Sequence, residues 1–153
     1  MGTVNASAER KISAPAPAVY GYIADMRQHH PKFLPQEFSN FAVESGGTGA
    51  GTVVQCTFST GKRTRDLRLT VAEPEPGRVL TESDANSSLV TTFTVTPDGS
   101  ACNVRISTSW QGAGGIGGFF ERTFAPKALA RIYNDELERL DTYAREQGSA
   151  APA

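Results

Sequence analysis

Residues 101–111, ACNVRISTSWQ, and residues 120–148, FERTFAPKALARIYNDELERLDTYAREQG, decide how this chain folds. In the first stretch Cys102, Val104, Ile106, Thr108 and Trp110 recur at every second position, the period of a strand with one buried face. In the second the period changes to 3.6. Phe120, Phe124, Leu129, Ile132, Tyr133, Leu137, Leu140 and Ala144 fall on one apolar stripe, with Asp135→Arg139 and Asp141→Arg145 spaced as i,i+4 ion pairs on the other side. A long amphipathic helix therefore closes the chain. Gly148 is its expected stop, and 149–153 are expected to form a disordered tail behind a single domain of residues 1–148.

Working back from the helix, the texture is β. Leu89, Thr91, Phe93 and Val95 alternate, as do Leu67, Leu69 and Val71; Val54-Cys56-Phe58 is the more apolar parity of residues 52–60. Turns fall at the Gly-rich segment 46–51, at Gly61-Lys62, at Pro74–Gly77 and at Pro97–Ser100. At the start, a strand over Val4–Ile12 leads through Ser13-Ala14-Pro15, with Ser or Ala expected to cap and Pro early in the first turn, into a helix carrying Val19, Tyr22, Ile23 and Met26. A kink at Gln28-His29-His30-Pro31 precedes a second short helical piece, Phe33-Leu34, closed by Pro35. The order β-α-α-β6-α is α+β, and the one apolar surface large enough for the last helix is a face of the sheet. Seven twisted antiparallel strands then curve around that helix in a helix-grip arrangement, leaving a gap lined by apolar side chains and a few polar ones.

Several stretches carry a resemblance: Ala8-Glu9-Arg10-Lys11-Ile12-Ser13-Ala14-Pro15 followed by Val19, the turn Pro74-Glu75-Pro76-Gly77-Arg78, Phe119-Phe120-Glu121-Arg122 running into Ala128-Leu129, and Leu137-Glu138-Arg139-Leu140. Over residues 4–146 the chain resembles the START-like helix-grip superfamily and is most similar to its polyketide cyclase/dehydrase and lipid-transport (SRPBCC) group. The resemblance implies a deep hydrophobic pocket between the sheet and the last helix. It implies binding of a small lipid, acyl or aromatic polyketide-like molecule there or, alternatively, a cyclase or dehydratase acting on a ligand in the same place.

The phase of the strands and of the helix stripe selects the candidate ligand-binding residues: Trp110, Phe93, Thr91, Thr108, Ile106, Tyr133, Leu129 and Phe120. Trp110 offers a flat wall with an N–H donor, while Thr91, Thr108 and Tyr133 are the polar spots expected to orient a ligand. No catalytic set is legible. There is no supported Ser/His/Asp order, the two cysteines lack a basic neighbour, and no close pair of carboxylates is evident on an inward strand face. His29-His30 reads as a structural or exposed pair, since adjacent helical positions diverge by about 100° and no ligand cluster surrounds them, although the resemblance puts the kinked helix pair near a pocket entrance, where one histidine could contact ligand or act as an acid or base. Arg63, Arg65 and Arg68 read as convex-face or hairpin-end charges, although Arg65 shares the parity of Leu67 and Leu69 and could turn inward to hold an anion.

Other classes are excluded more firmly. Gly112-Ala113-Gly114-Gly115-Ile116-Gly117 fits the dinucleotide fingerprint, but a Rossmann unit needs a second parallel strand carrying an acid about twenty residues on, and here a helix occupies that place. The segment reads instead as a hinge. Net charge is −1 over 153 residues, which provides no field for nucleic acid or anionic lipid. No apolar run approaches a membrane span and the N-terminus has no signal-peptide pattern, so the expected setting is cytoplasmic, as a monomer or homodimer. Cys56 and Cys102 cannot make a disulfide framework or a zinc site; no metal and no cofactor are expected.

Overall fold

The structure is a computed structural model, and it describes residues 3–59, 64–111 and 126–150, the side chains of 149 and 150 excepted. Strands β1 (Thr3–Ile12), β2 (Phe38–Ser45), β3 (Val53–Ser59), β4 (Thr64–Glu75), β5 (Val79–Asp84), β6 (Val90–Asp98) and β7 (Ala101–Gln111) form one antiparallel sheet. Its order is β1-β7-β6-β5-β4-β3-β2, a meander from β2 to β7 onto which the first strand is added beside the last. The expected alternation holds throughout: Cys102, Val104, Ile106, Thr108 and Trp110 are buried on β7, Thr91, Phe93 and Val95 on β6, and Val54, Cys56 and Phe58 on β3.

Helix α1 (Ala16–Ala24) follows β1, and a single 3-10 turn (His30–Phe33) takes the place of the second short helix. The expected Ser or Ala cap is absent. Pro15 itself occupies the N-cap with extended φ −64° and ψ 146° and makes no side-chain cap bond. The backbone N–H of Ser13 is instead donated to Asp141 Oδ1 at 2.9 Å, far along the chain. Between β2 and β3 the glycine segment closes back on α1, Met26 N donating to Gly47 O at 2.8 Å and Gly49 N to Ala24 O at 3.1 Å. Gly46 is required there: its φ is +75°, and a Cβ would come within 2.8 Å of the Thr52 backbone.

The last helix, α2 (Pro126–Ala150), runs past Gly148 to Ala150. Gly148 has no positive φ, so the left-handed turn that lets glycine end a helix does not form. Phe120, Phe124 and the 112–118 hinge lie outside the described residues. The helix does not sit centrally over the sheet. Its backbone comes close to β1, the 3-10 turn and α1, and stands off β3 to β6. Ala6 and Ala8, both buried on β1, explain the lean, because small side chains let helix and strand approach. The far side of the sheet is left with a gap.

Asp141 anchors the lean. The sequence places it in a solvent-side pair with Arg145, and that pair exists at 3.6 Å, but the Asp141 side chain is 8% exposed and also takes Ser13 N–H and Arg10 Nη2, the latter at 3.4 Å. Replacing Asp141 with Ala leaves a buried N–H without its acceptor and is expected to cost about 2 kcal/mol in urea unfolding at pH 7, with Asp141→Asn losing less than half of that. Equal, negligible losses in both variants would show that Asp141 does not hold the helix to the sheet.

Candidate functional site

The gap between α2 and the strands farthest from β1 is a pocket walled by Leu34, Phe38, Phe41, Cys56, Phe58, Leu67, Leu69, Leu89, Phe93 and Leu129. Five further groups, His30, Glu82, Thr91, Tyr133 and Glu136, bring polar atoms to it. Its free volume is about 40 Å³ in this conformation, room for about three water molecules, so a larger occupant must displace side chains. Leu34, Phe38 and Phe41 are half-buried and form the yielding rim.

Of the residues expected from the sequence, Thr91, Phe93, Leu129 and Tyr133 line this pocket. Thr108 stands directly behind them. Its hydroxyl is 2.7 Å from Thr91 Oγ1 and hydrogen-bonded to the Tyr133 hydroxyl, so the three form a closed polar relay. Ile106 and Trp110 are buried in the core and do not reach the wall. They lie on β7, which adjoins β1 in the sheet and is packed by α1. Phe120 lies outside the described residues.

The sequence reading misses the pocket's charged groups. Glu82 is 7% exposed and Glu136 2% exposed, and both face the cavity, so a carboxyl pair does occupy this interior, one member on β5 and the other on α2. Two signals could have found them: Glu82 shares parity with Leu80, and Glu136 follows Tyr133 by three residues and Leu129 by seven on the buried stripe. His30 is likewise no surface residue. It is 2% exposed, boxed by the rings of Phe33, Phe41 and Phe93 at centroid distances of 4.9, 6.2 and 5.5 Å. His29 instead meets the Tyr143 hydroxyl at 2.5 Å.

The electrostatics follow from burial. His30 Nδ1 lies 2.7 Å from Ile23 O, which can only accept, so Nδ1 carries the proton and Nε2 presents a lone pair. Nε2 stands 3.9 Å from Glu82 Oε2 and 4.0 Å from Glu136 Oε2, beyond hydrogen-bond reach. Loss of water pushes His30 down to about 4 despite those neighbours. It pushes Glu82 up to about 7. Glu136 is raised well above the ordinary carboxylate value, first by burial, then by Glu82 and Asp135. At neutral pH the imidazole is therefore neutral, and both carboxyls keep their protons to higher pH than ordinary glutamates do. Burial also raises the Cys56 thiol to about 12, which makes it a wall group and not a nucleophile.

Arg65 does take the parity of Leu67 and Leu69, in contrast to the convex-face expectation, but its guanidinium meets Asp84 at 3.4 Å and does not line the pocket. Among the described residues no group of three His, Cys, Asp or Glu is arranged to hold a metal ion. Nor is any described helix long and apolar enough to cross a membrane.

A curved seven-stranded antiparallel sheet, a long C-terminal helix and an apolar pocket between them with a polar floor define a helix-grip protein of the START-like class. The chain belongs to the family described as polyketide cyclase / dehydrase and lipid transport, whose profile matches residues 3–145. Pathogenesis-related protein 2 of Petroselinum crispum is 29% identical over 118 residues, 71% of this chain and 75% of that protein. The solution structure of the KanY protein is 42% identical, with 95% of this chain and 99% of that one covered at a TM-score of 0.84. The ZhuI aromatase/cyclase from Streptomyces sp. R1128 shares the fold at 14% identity, with a TM-score of 0.78 and 99% of each chain covered.

Proposed function

We propose that this protein binds a small, largely apolar molecule, of lipid, acyl or aromatic polyketide-like type, between strands β3 to β6 and helix α2. The observation that carries the reading is the pocket itself: ten apolar or sulfur-bearing side chains surround it, and its polar groups converge from four separate elements, the 3-10 turn, β5, β6 and α2. Apolar walls supply affinity and a few fixed polar groups supply orientation, which is the usual division of labour in small-molecule sites.

Leu34 is the residue to test, because it lines the pocket yet is half-buried, so a larger side chain there narrows the mouth without breaking the core. Leu34→Trp is expected to weaken binding of the uncharged probe 2-(2-naphthyl)ethanol by about tenfold or more, the loss of roughly 1.4 kcal/mol of contact, with the thermal midpoint unchanged. Unchanged affinity in a folded variant would refute this placement of the ligand. Native mass spectrometry of protein purified without detergent, followed by organic extraction, identifies any resident compound.

A second reading, turnover by a cyclase or dehydratase, is favoured by one observation: a neutral histidine and two carboxyls with raised proton affinity meet in one largely apolar cavity. Thr108 and Tyr133 would position the substrate; Trp110, in the core, and Arg65, paired with Asp84, are not available to polarise it. A polyketide-type substrate recovered chemically unchanged after long incubation decides for carriage over turnover.

A further inference from the structure

Four acidic side chains are buried in the described structure, and they divide into two kinds. Asp84 and Asp141 are met by arginines, Arg65 at 3.4 Å and Arg10 at 3.4 Å, and by backbone donors, Arg68 N at 3.1 Å and Ser13 N at 2.9 Å. Glu82 and Glu136 have no Lys or Arg within ion-pair distance among the described residues, and both line the cavity. Glu136 Oε2 is fully buried and has no hydrogen-bond partner. Among the described residues the only basic group within 4.0 Å of either is His30, and it offers Nε2 as an acceptor because Nδ1 donates to Ile23 O.

Three groups able to accept a hydrogen bond, Nε2 and the two carboxyls once ionised, thus surround one end of an otherwise apolar pocket, with room between Nε2 and each carboxyl for a bridging atom. Nε2 is 3.9 Å and 4.0 Å from the two carboxylate oxygens, too far to bond directly but close enough for one donor atom to lie at about 2.8 Å from more than one of them. The other titratable groups facing this end supply no cation: Tyr133 is engaged with Thr108, and Cys56 is a neutral thiol. A carboxylate ligand would bring a negative charge beside two carboxyls that have no Lys or Arg among the described residues to offset it. A hydroxyl supplies one donor, whereas a primary ammonium supplies three, in charge-assisted bonds that replace the lost hydration.

We propose that Glu82, Glu136 and the Nε2 of His30 form a head-group subsite that selects a lipophilic primary amine over the matching neutral or anionic molecule. This rests on the pocket reading above and adds the chemical class of its ligand. A bound ammonium favours the ionised form of the two carboxyls, so binding is coupled to proton release.

The test uses one apolar skeleton with four ends: 2-ethylnaphthalene, 2-(2-naphthyl)ethanol, 2-(2-naphthyl)ethylamine and 2-naphthylacetate, titrated calorimetrically at pH 7 in buffers of different ionisation enthalpy. The amine is expected to bind about tenfold or more tightly than the alcohol, and the carboxylate more weakly than either. About one proton is expected to leave per amine bound, and none with the alcohol. In Glu136→Gln the amine-to-alcohol ratio falls towards one and the proton release disappears, whereas Glu138→Gln, on the exposed side of α2, keeps both. Binding of the alcohol as tight as that of the amine overturns the subsite while leaving the pocket reading intact. Failure of all four probes to bind folded protein overturns both.

Discussion

Glu136→Gln is expected to make this protein more stable at alkaline pH, with the gain over the wild type growing as pH rises from 6.5 to 8.5, because each pH unit over which the native state keeps the glutamate's proton costs the wild type about 1.4 kcal/mol. The sign follows from the carboxyl's raised proton affinity in the fold. A group whose folded value lies above its unfolded one stabilises fully below the unfolded value and loses that contribution as pH climbs through the folded one. Glu82, raised from 4.5 to about 7, acts in the same sense over that window. His30 acts oppositely: its value falls from 6.5 to about 4, so its contribution is present above 6.5 and is lost as pH drops through 4. The glutamates and the histidine therefore offset one another between pH 4.5 and 6.5. Above 6.5 the histidine is silent, and each proton still held by the native state costs about 1.4 kcal/mol per pH unit. Urea unfolding at pH 6.5, 7.5 and 8.5 should show a fall in the wild type that Glu136→Gln flattens, since the amide keeps the shape without the charge. A wild-type stability independent of pH above 6.5, or equal slopes in the two proteins, would contradict the burial of an unpaired carboxyl.

Trp110→Ala should be the most damaging single change. The indole is 1% exposed on the last strand beside β1, and emptying that site removes a large packed volume, at an expected cost of about 3–5 kcal/mol. For a chain of this size each kcal/mol moves the midpoint by about 2–4 °C, so the fall should be near 10 °C or more by calorimetry. Trp110→Phe tests the division of roles. Retaining most of the volume should hold the loss to about 1.5 kcal/mol. Affinity for 2-(2-naphthyl)ethanol should then stay within about twofold, because Trp110 does not line the pocket. A tenfold loss of affinity in a stably folded Trp110→Phe protein would return the indole to the ligand wall.

The two changes mark where reading from sequence succeeds and where it stops. Alternation on β7 and the 3.6 period of 129–144 reveal a strand and a helix with matching buried faces, and they do so because each face repeats within a few residues. Thr91, Phe93, Leu129 and Tyr133 come to the site by that logic. Trp110 and Ile106 share the same phase and yet are core, because phase says which side of a sheet a residue occupies and not whether the helix is pressed against it there. That depends on where the helices lie, α2 against β1 beside the small Ala6 and Ala8 and α1 against β7, with the pocket walled by β3 to β6.

Charge hid the rest. Glu82 and Glu136 are residue types that ordinarily face water, so each on its own reads as surface, His30 reads as structural, exposed or at a pocket entrance, and Asp141 reads as one half of a helical surface pair. The sequence by itself determined the α+β order, the antiparallel strands, the parity of their buried faces and the apolar stripe of the last helix, since all are set by short-range periodicity. That Glu82 from β5, Glu136 from α2 and His30 from the 3-10 turn meet in one pocket is set by the three-dimensional packing, because their meeting depends on helix placement across a curved sheet, a long-range distance that no local period encodes.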